Sequence, residues 1–294
     1  MTSLCLLASY PRSGNTYVRA LLANYLSASD DAVRLKDLPW LAKGEHMETV
    51  WRDLTGAPPA QRTLEQEWGA RAAYFERMRK GDPGLPVLVK THTVNASIGG
   101  VPAFSLKEGD RAIYVLRHPC DVAVSWADFY GKPLEAAVDD LLAPGRYIRG
   151  VPDYGYELTG SWGQHVTSWS REGTEPLLVR YQDLCYQPAQ ELRRMTAFLG
   201  LEPDANRIFR AVEHSSFRRL QQDEAEHGFA EAPTGATSGR FFREGRTGQW
   251  REVMREDLAD RLYEAYGALI ERFDLDAPSP AERAEARLQA AAAG

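Results

Sequence analysis

Leu4-Cys5-Leu6-Leu7-Ala8-Ser9 is an unbroken apolar run without alternation, the pattern of a strand buried on both faces of a parallel sheet. Past the polar loop Tyr10 to Thr16, the apolar residues Val18, Leu21, Leu22, Tyr25 and Leu26 recur at three- and four-residue intervals. That spacing predicts an amphipathic helix starting near Gly14. Apolar, β-branched runs return at Val87-Leu88-Val89, Ala112 to Leu116 and Leu177-Leu178-Val179, each followed by polar residues and a helical pattern. Four strands of one parallel sheet are expected, with helices over 61–80, 121–130, 161–171, 188–199 and 204–212. The expected fold class is α/β, a doubly wound sheet with helices on both faces. Residues 222–240 lack apolar periodicity and contain Gly228, Pro233, Gly235 and Gly239, which predicts a surface loop or lid. Residues 1–275 read as one domain, and the Ala-rich stretch 276–294 as a tail or peripheral helix.

Composition narrows the chemistry. With 294 residues, 44% hydrophobic and 26% charged, the chain can bury a large core and is not of a disordered or fibrous class. The net charge of −6 provides no general field for nucleic acid or an anionic membrane, so any phosphate binding has to be local. Cys5, Cys120 and Cys185 are odd in number and form no C-x-x-C pair; they read as free thiols in a reducing compartment, with neither a disulfide framework nor a zinc site. The stretch Leu4 to Ala8 is far shorter than the roughly 20 residues of a membrane span, and no basic leader precedes it. A cytoplasmic location, without metal, is the expectation.

Two segments suit an oxyanion ester. A short turn between a buried strand and a helix leaves the first helical N–H groups free to point at an anion. In Tyr10-Pro11-Arg12-Ser13-Gly14-Asn15-Thr16, Gly14 permits close backbone approach, Ser13, Asn15 and Thr16 supply short polar groups, and Arg12 a fixed charge. The loop is not the nucleoside-triphosphate pattern G-x-x-x-x-G-K-[ST], because it has one glycine and no lysine before the hydroxyl residue. Downstream, Arg117 leaves a predicted strand at the carboxyl edge, and Ser125 follows about two helical turns later. Together they could grip one phosphate; the competing reading makes Arg117 an ion-pair partner of Asp121 and Ser125 a surface hydroxyl.

The first loop, continued by Tyr17, resembles the signature of sulfotransferases that use 3′-phosphoadenosine 5′-phosphosulfate (PAPS), usually Tyr-Pro-Lys-Ser-Gly-Thr-Thr-Trp. Tyr114 to Ser125 is similar to the family's 3′-phosphate segment, Gly160 to Val166 to its Gly-Ser-Trp-x-Gln-His-Val segment, and Leu178 to Leu184 to its strand ending in a Tyr-Glu-Asp-like turn. His214-Ser215-Ser216-Phe217 and Phe242 to Trp250 resemble two further nucleotide-contacting segments, so the likeness runs from about Leu4 to Trp250. It implies a P-loop-like sulfotransferase fold that binds PAPS through Arg12, Ser13, Gly14, Asn15, Thr16, Tyr17, Arg117, Ser125, Tyr181, Ser215, Phe217, Arg243 and Gly245. Tyr181 would contact the adenine. Tyr17 and Phe217 have flat faces suited to a purine, while Trp162, Trp169 and Trp250 are expected in the core.

Val87-Leu88-Val89-Lys90-Thr91-His92 puts a Lys and a His at a strand end, and the family's Lys-x-His is catalytic. The resemblance implies His92 as general base toward an acceptor hydroxyl, with Arg12 and Lys90 meeting charge on the leaving phosphate. Three departures stand out: Arg12 replaces the usual Lys, Tyr17 the usual Trp, and Glu244 a Lys near the phosphate. The expected partner is a small hydroxyl-bearing acceptor, a phenol, alcohol or glycoside such as a specialised metabolite. Its pocket would be drawn from 37–60, 131–156 and 222–240. A small-molecule kinase and a non-catalytic nucleotide-binding module are the alternatives; the family's dimer motif is missing after Trp250, which leaves the oligomeric state open.

Overall fold

A computed structural model describes residues 2–45, 47–79, 85–149, 156–171, 175–232 and 235–278. Residues 279–294, most of the stretch read as a tail, lie outside the described residues. At the centre is a five-stranded sheet made of β1 (Leu4–Ser9), β2 (Ala42–Gly44), β3 (Val87–Thr91), β4 (Arg111–Leu116) and β5 (Leu177–Arg180). The order is β2-β3-β1-β4-β5 and every pair is parallel. The chain fills one side of β1 first and the other side second. The winding therefore reverses at β1, and a crevice opens at its carboxyl end, where open α/β sheets bind ligands.

Successive side chains of a strand point to opposite faces, and β1 feeds two cores in this way. Leu4, Leu6 and Ala8 join one cluster, Cys5 and Leu7 the other. The first cluster packs against α2 (Glu48–Thr55), α3 (Leu64–Met78), α4 (Pro119–Tyr130), α5 (Leu134–Leu142) and α6 (Trp162–Ser170) through Trp51, Trp68, Trp126, Leu141 and Trp169. The second packs against α1 (Asn15–Leu26), α7 (Pro188–Phe198) and α8 (Ala205–His214) through Leu21, Met195 and Ile208. A third, smaller cluster unites α1 with Leu35, Leu38, Leu220, Phe229 and Phe242. It lies beside the carboxyl end of β1 and brings the 217–245 region over it.

Among the places where the fold departs from the sequence expectation are the helix Glu256–Arg272, which it did not include, and the following three. The sheet has a fifth strand, Ala42-Lys43-Gly44, which is three residues long and carries no apolar run to announce it. Residues 222–227, expected as loop, belong to α9 (Phe217–His227), whose one buried side chain is Leu220. A helix that is polar nearly all round has no periodic signal to read. Trp162 and Trp169 are core residues, but Trp250 is half-buried and stacks on the His118 ring with centroids 5.3 Å apart. Among the described residues no helix is long and apolar enough to cross a membrane.

Candidate active site

The parallel register carries four strand ends to one edge: Leu7 lies opposite Lys90, Ser9 opposite Val115, and Leu116 opposite Arg180. The residues that follow these ends are Tyr10, His92, Arg117 and Tyr181, so the edge is furnished from four separate stretches of chain. In the loop after β1, Arg12 and Gly14 have φ of 67° and 104°. A Cβ on Gly14 would sit 2.5 Å from a ring carbon of Tyr181, so only glycine fits both the backbone and the space. Next, α1 starts with no side-chain cap at Gly14, which leaves its first N–H groups available to an anion.

These elements enclose a cavity of about 320 Å³. It is lined by Arg12, Gly14, Asn15, Thr16, Tyr17, Arg117, Ser125, Tyr181, Phe217, Arg243 and Gly245, a set that the sequence scatters over more than two hundred positions. Arg117 is 7% exposed. Its Nη1 donates to the Arg12 carbonyl at 3.0 Å and its Nη2 to the Arg246 carbonyl at 3.3 Å, with the guanidinium 4.4 Å over the Tyr181 ring. Its Nε is buried without a partner. The alternative pairing with Asp121 does not form; that carboxylate accepts the Gly248 and Trp250 amides at 2.7 and 3.3 Å and moors the 245–250 segment. A buried guanidinium with a spare N–H in the wall of a cavity favours an anionic ligand there.

Arg12 lies between the rings of Phe129 and Phe241, 4.2 and 4.4 Å from their centroids, and its Nε donates to Ser125 Oγ at 3.1 Å. Burial and then Arg117 push its pKa down to about 10, so it is still a cation at neutral pH. Glu244 lines the cavity, yet its carboxylate is engaged by Arg246 at 2.6 Å and Arg243 at 3.4 Å. The charge of the Glu that replaces the family's Lys is thus balanced by arginines of its own loop.

Two expected residues lie elsewhere. Ser215 is fully buried, its Oγ accepting from Asn24 Nδ2 at 3.0 Å, and Ser216 lines the cavity in its place. One residue along the turn into α9 separates a structural hydroxyl from a cavity hydroxyl, and two adjacent serines give no sequence cue to which is which. Ser13 is buried behind the loop and does not line the cavity; its Oγ has no partner. Phe241 and Phe242 also line it and were not singled out in the sequence.

His92 and Lys90 stand beside this cavity and not in its wall. His92 Nδ1 lies 2.7 Å from the Ser9 carbonyl, which can only accept, so Nδ1 carries the proton and Nε2 keeps its lone pair. Burial, then Lys90, lowers the His92 pKa to about 4, leaving the ring neutral at pH 7. Below it, His165 Nε2 donates to the His92 carbonyl at 3.1 Å, and the Tyr114 hydroxyl donates to His165 Nδ1 at 2.9 Å. Glu45 Oε1 accepts from Thr91 and Thr93 at 2.6 and 2.8 Å, on either side of His92. The Lys90 ammonium is 3.7 Å from Glu231. Sequence reading identified none of His165, Glu45 or Glu231 as part of this framework, because each reaches it through tertiary contact. Among the described residues no group of three or more His, Cys, Asp or Glu side chains is arranged to hold a metal ion.

Comparison with known proteins places the chain in a family. The model of the sulfotransferase domain family matches residues 3–274. Sulfotransferase 1A1 of Bos taurus is 25% identical over 272 residues, 90% of this chain and 81% of its own. Sulfotransferase 1A1 of Rattus norvegicus is 26% identical over 257 residues, 84% of this chain and 78% of its own. Among solved structures, retinol dehydratase in complex with androsterone and the inactive cofactor PAP superposes with a TM-score of 0.60 at 19% identity, covering 94% of this chain and 82% of that one. Mouse sulfotransferase SULT7A1 complexed with PAP gives 0.59 at 18% identity, covering 92% and 85%. With the family model spanning nearly every described residue and the fold shared with both structures, the chain belongs to the sulfotransferase family.

Proposed function

We propose that the protein transfers a sulfuryl group from PAPS to a hydroxyl of a small acceptor. The observation that carries this reading is Arg117, a buried guanidinium with an unpartnered Nε in the wall of a cavity also lined by the uncapped start of α1. That is a site for an anionic ligand, and the aromatic rings of Tyr17 and Phe217 on the same cavity suit a purine. The related structures named above were solved with PAP, which fits the same assignment.

In this reading Arg117 and Ser125 hold the 3′-phosphate, helped by Arg243 and the Gly245 amide. Tyr17, Tyr181 and Phe217 hold the base. The loop 12–17 holds the 5′-phosphosulfate end. His92 Nε2 takes the acceptor's proton as the acceptor oxygen bonds to sulfur and the bond from sulfur to the phosphate oxygen breaks. Charge grows on that leaving oxygen, where Arg12 and Lys90 meet it; catalysis is then mostly positioning and electrostatics. The acceptor is a phenol, alcohol or glycoside. A specialised metabolite is one such acceptor.

The test is calorimetric titration with PAP and, separately, with ATP and magnesium, repeated on Arg117→Ala. Binding of PAP that is lost in the variant supports the reading. Preference for ATP points to a kinase; PAP binding with no turnover across an acceptor screen points to a binding module.

A further inference from the structure

Glu231 lies in the segment after α9, between the two nucleotide-contacting segments that end at Phe217 and begin at Phe242, and the structure ties it to two parts of the site at once. Its carboxylate oxygens accept from Arg19 Nη1 and Nη2, each at 2.8 Å. Arg19 is 1% exposed, and its Nη2 also donates at 3.1 Å to the Thr16 hydroxyl on the donor cavity. The second cation is Lys90, 3.7 Å from Glu231 Oε2 at the end of β3. Phe229 and Ala232, close on either side of Glu231, pack in the cluster shared with α1, so the carboxylate is carried by an anchored backbone.

A carboxylate beside a site meant for a phosphosulfate would repel it unless its charge were taken up elsewhere. The fork of Arg19 does this: a bidentate pair in a buried setting neutralises Glu231 first. The looser contact to Lys90 then directs that ammonium without consuming its charge. Burial pushes the Glu231 carboxyl up, but Lys90 and Arg19 outweigh it and hold its pKa at about 2, so the carboxylate stays ionised.

We propose that Glu231 is a positioning residue that sets the Lys90 ammonium at the end of β3 and is itself held by Arg19. The proposal rests on the assignment of Lys90 to the transfer step. A flexible lysine has many rotamers, and fixing one in advance lowers the barrier without altering donor binding.

The experiment measures PAP affinity by calorimetry together with steady-state kcat and KM for wild type, E231Q, E231D, K90M and K90M/E231Q. For E231Q the expected result is a kcat about tenfold lower or worse, with PAP affinity and donor KM within about threefold of wild type. E231D should recover part of kcat, and in the K90M background E231Q should cost nothing further. Because E231Q leaves Arg19 buried without its anion, R19M/E231M removes both charges; it should fold and show the same loss of kcat. The role is overturned if E231Q or a folded R19M/E231M keeps wild-type kcat, if E231Q costs as much in K90M as alone, or if the loss falls on PAP affinity. A wild-type protein that neither binds PAP nor turns over overturns the sulfotransferase reading, and the positioning role with it.

Discussion

The buried histidines His92 and His165, joined by the bond from His165 Nε2 to the His92 carbonyl, make the fold sensitive to mild acid, and the size of the effect follows from their surroundings. Burial, then Lys90, holds the His92 pKa at about 4; burial, then His92, holds His165 at about 3. In the unfolded chain both titrate near about 6.5. As pH falls below that value the unfolded chain binds protons that the folded protein refuses, so stability is greatest above about pH 7 and declines toward pH 4. At pH 5 each ring contributes a loss of about 2 kcal/mol relative to neutral pH, roughly 4 for the two. His165→Gln removes one of these contributions; its side-chain amide can still donate to the His92 carbonyl, and it does not titrate. Urea unfolding followed by tryptophan fluorescence at pH 7.5 and pH 5 should give a drop smaller by about 2 kcal/mol in H165Q than in wild type. Other titrating groups are common to both proteins and cancel in the difference. Equal drops in the two would show that the ring is not held neutral in the fold, and the reasoning would fail.

Three further outcomes are expected. Gly14→Ala puts a methyl group 2.5 Å from the Tyr181 ring at a φ of 104°; calorimetry should find PAP binding lost, and thermal melting a loss of stability above about 1 kcal/mol. Ser216→Ala should weaken PAP binding while leaving the melting temperature in place, whereas Ser215→Ala should lower the melting temperature by removing the bond to Asn24, about 1 kcal/mol, and leave PAP affinity alone. Arg12→Ala should cost turnover about a hundred- to a thousandfold, the usual toll for losing one donor to developing charge, and initial-rate assays that find near-normal turnover would remove Arg12 from the mechanism.

What the sequence disclosed and what it hid divide along a physical line. Signals that are local in the chain were legible: the apolar run of β1, the glycine that the turn into α1 demands, and the strand-end positions of Lys90, His92 and Arg117. The three-residue strand Ala42–Gly44 has no pattern of its own and becomes a strand only because β3 offers it an edge. Likewise α9 is helical with one buried residue, Leu220, so its pattern resembles that of a polar loop. Ser215 and Ser216 are chemically identical neighbours, and only the turn of the backbone into α9 decides which one faces the cavity.

The least legible layer is the one that holds Lys90 and His92 still. Strand β3 ends at Thr91, so His92 has no ladder partner beyond it and would swing freely on a chain end. It is braced instead by Glu45, just after β2, and by side chains from α2, α3 and α6. The Glu45 carboxylate, 1% exposed, takes the hydroxyls on both sides of it, and its second oxygen pairs with Arg71, whose Nε donates to the Ala103 carbonyl at 2.8 Å. Trp51 Nε1 fixes the Glu45 carbonyl at 2.9 Å, and Trp169 Nε1 fixes the Thr93 carbonyl at 3.0 Å. A buried carboxylate without such partners would cost several kcal/mol; with them it converts a strand end into a rigid mount. In the proposed role of His92, placing Nε2 against an acceptor oxygen tolerates displacements of only about 0.5 Å. In the proposed mechanism the buried network around the end of β3 and the pair formed by Glu231 and Arg19 would supply the same thing, a fixed origin for His92 and for Lys90.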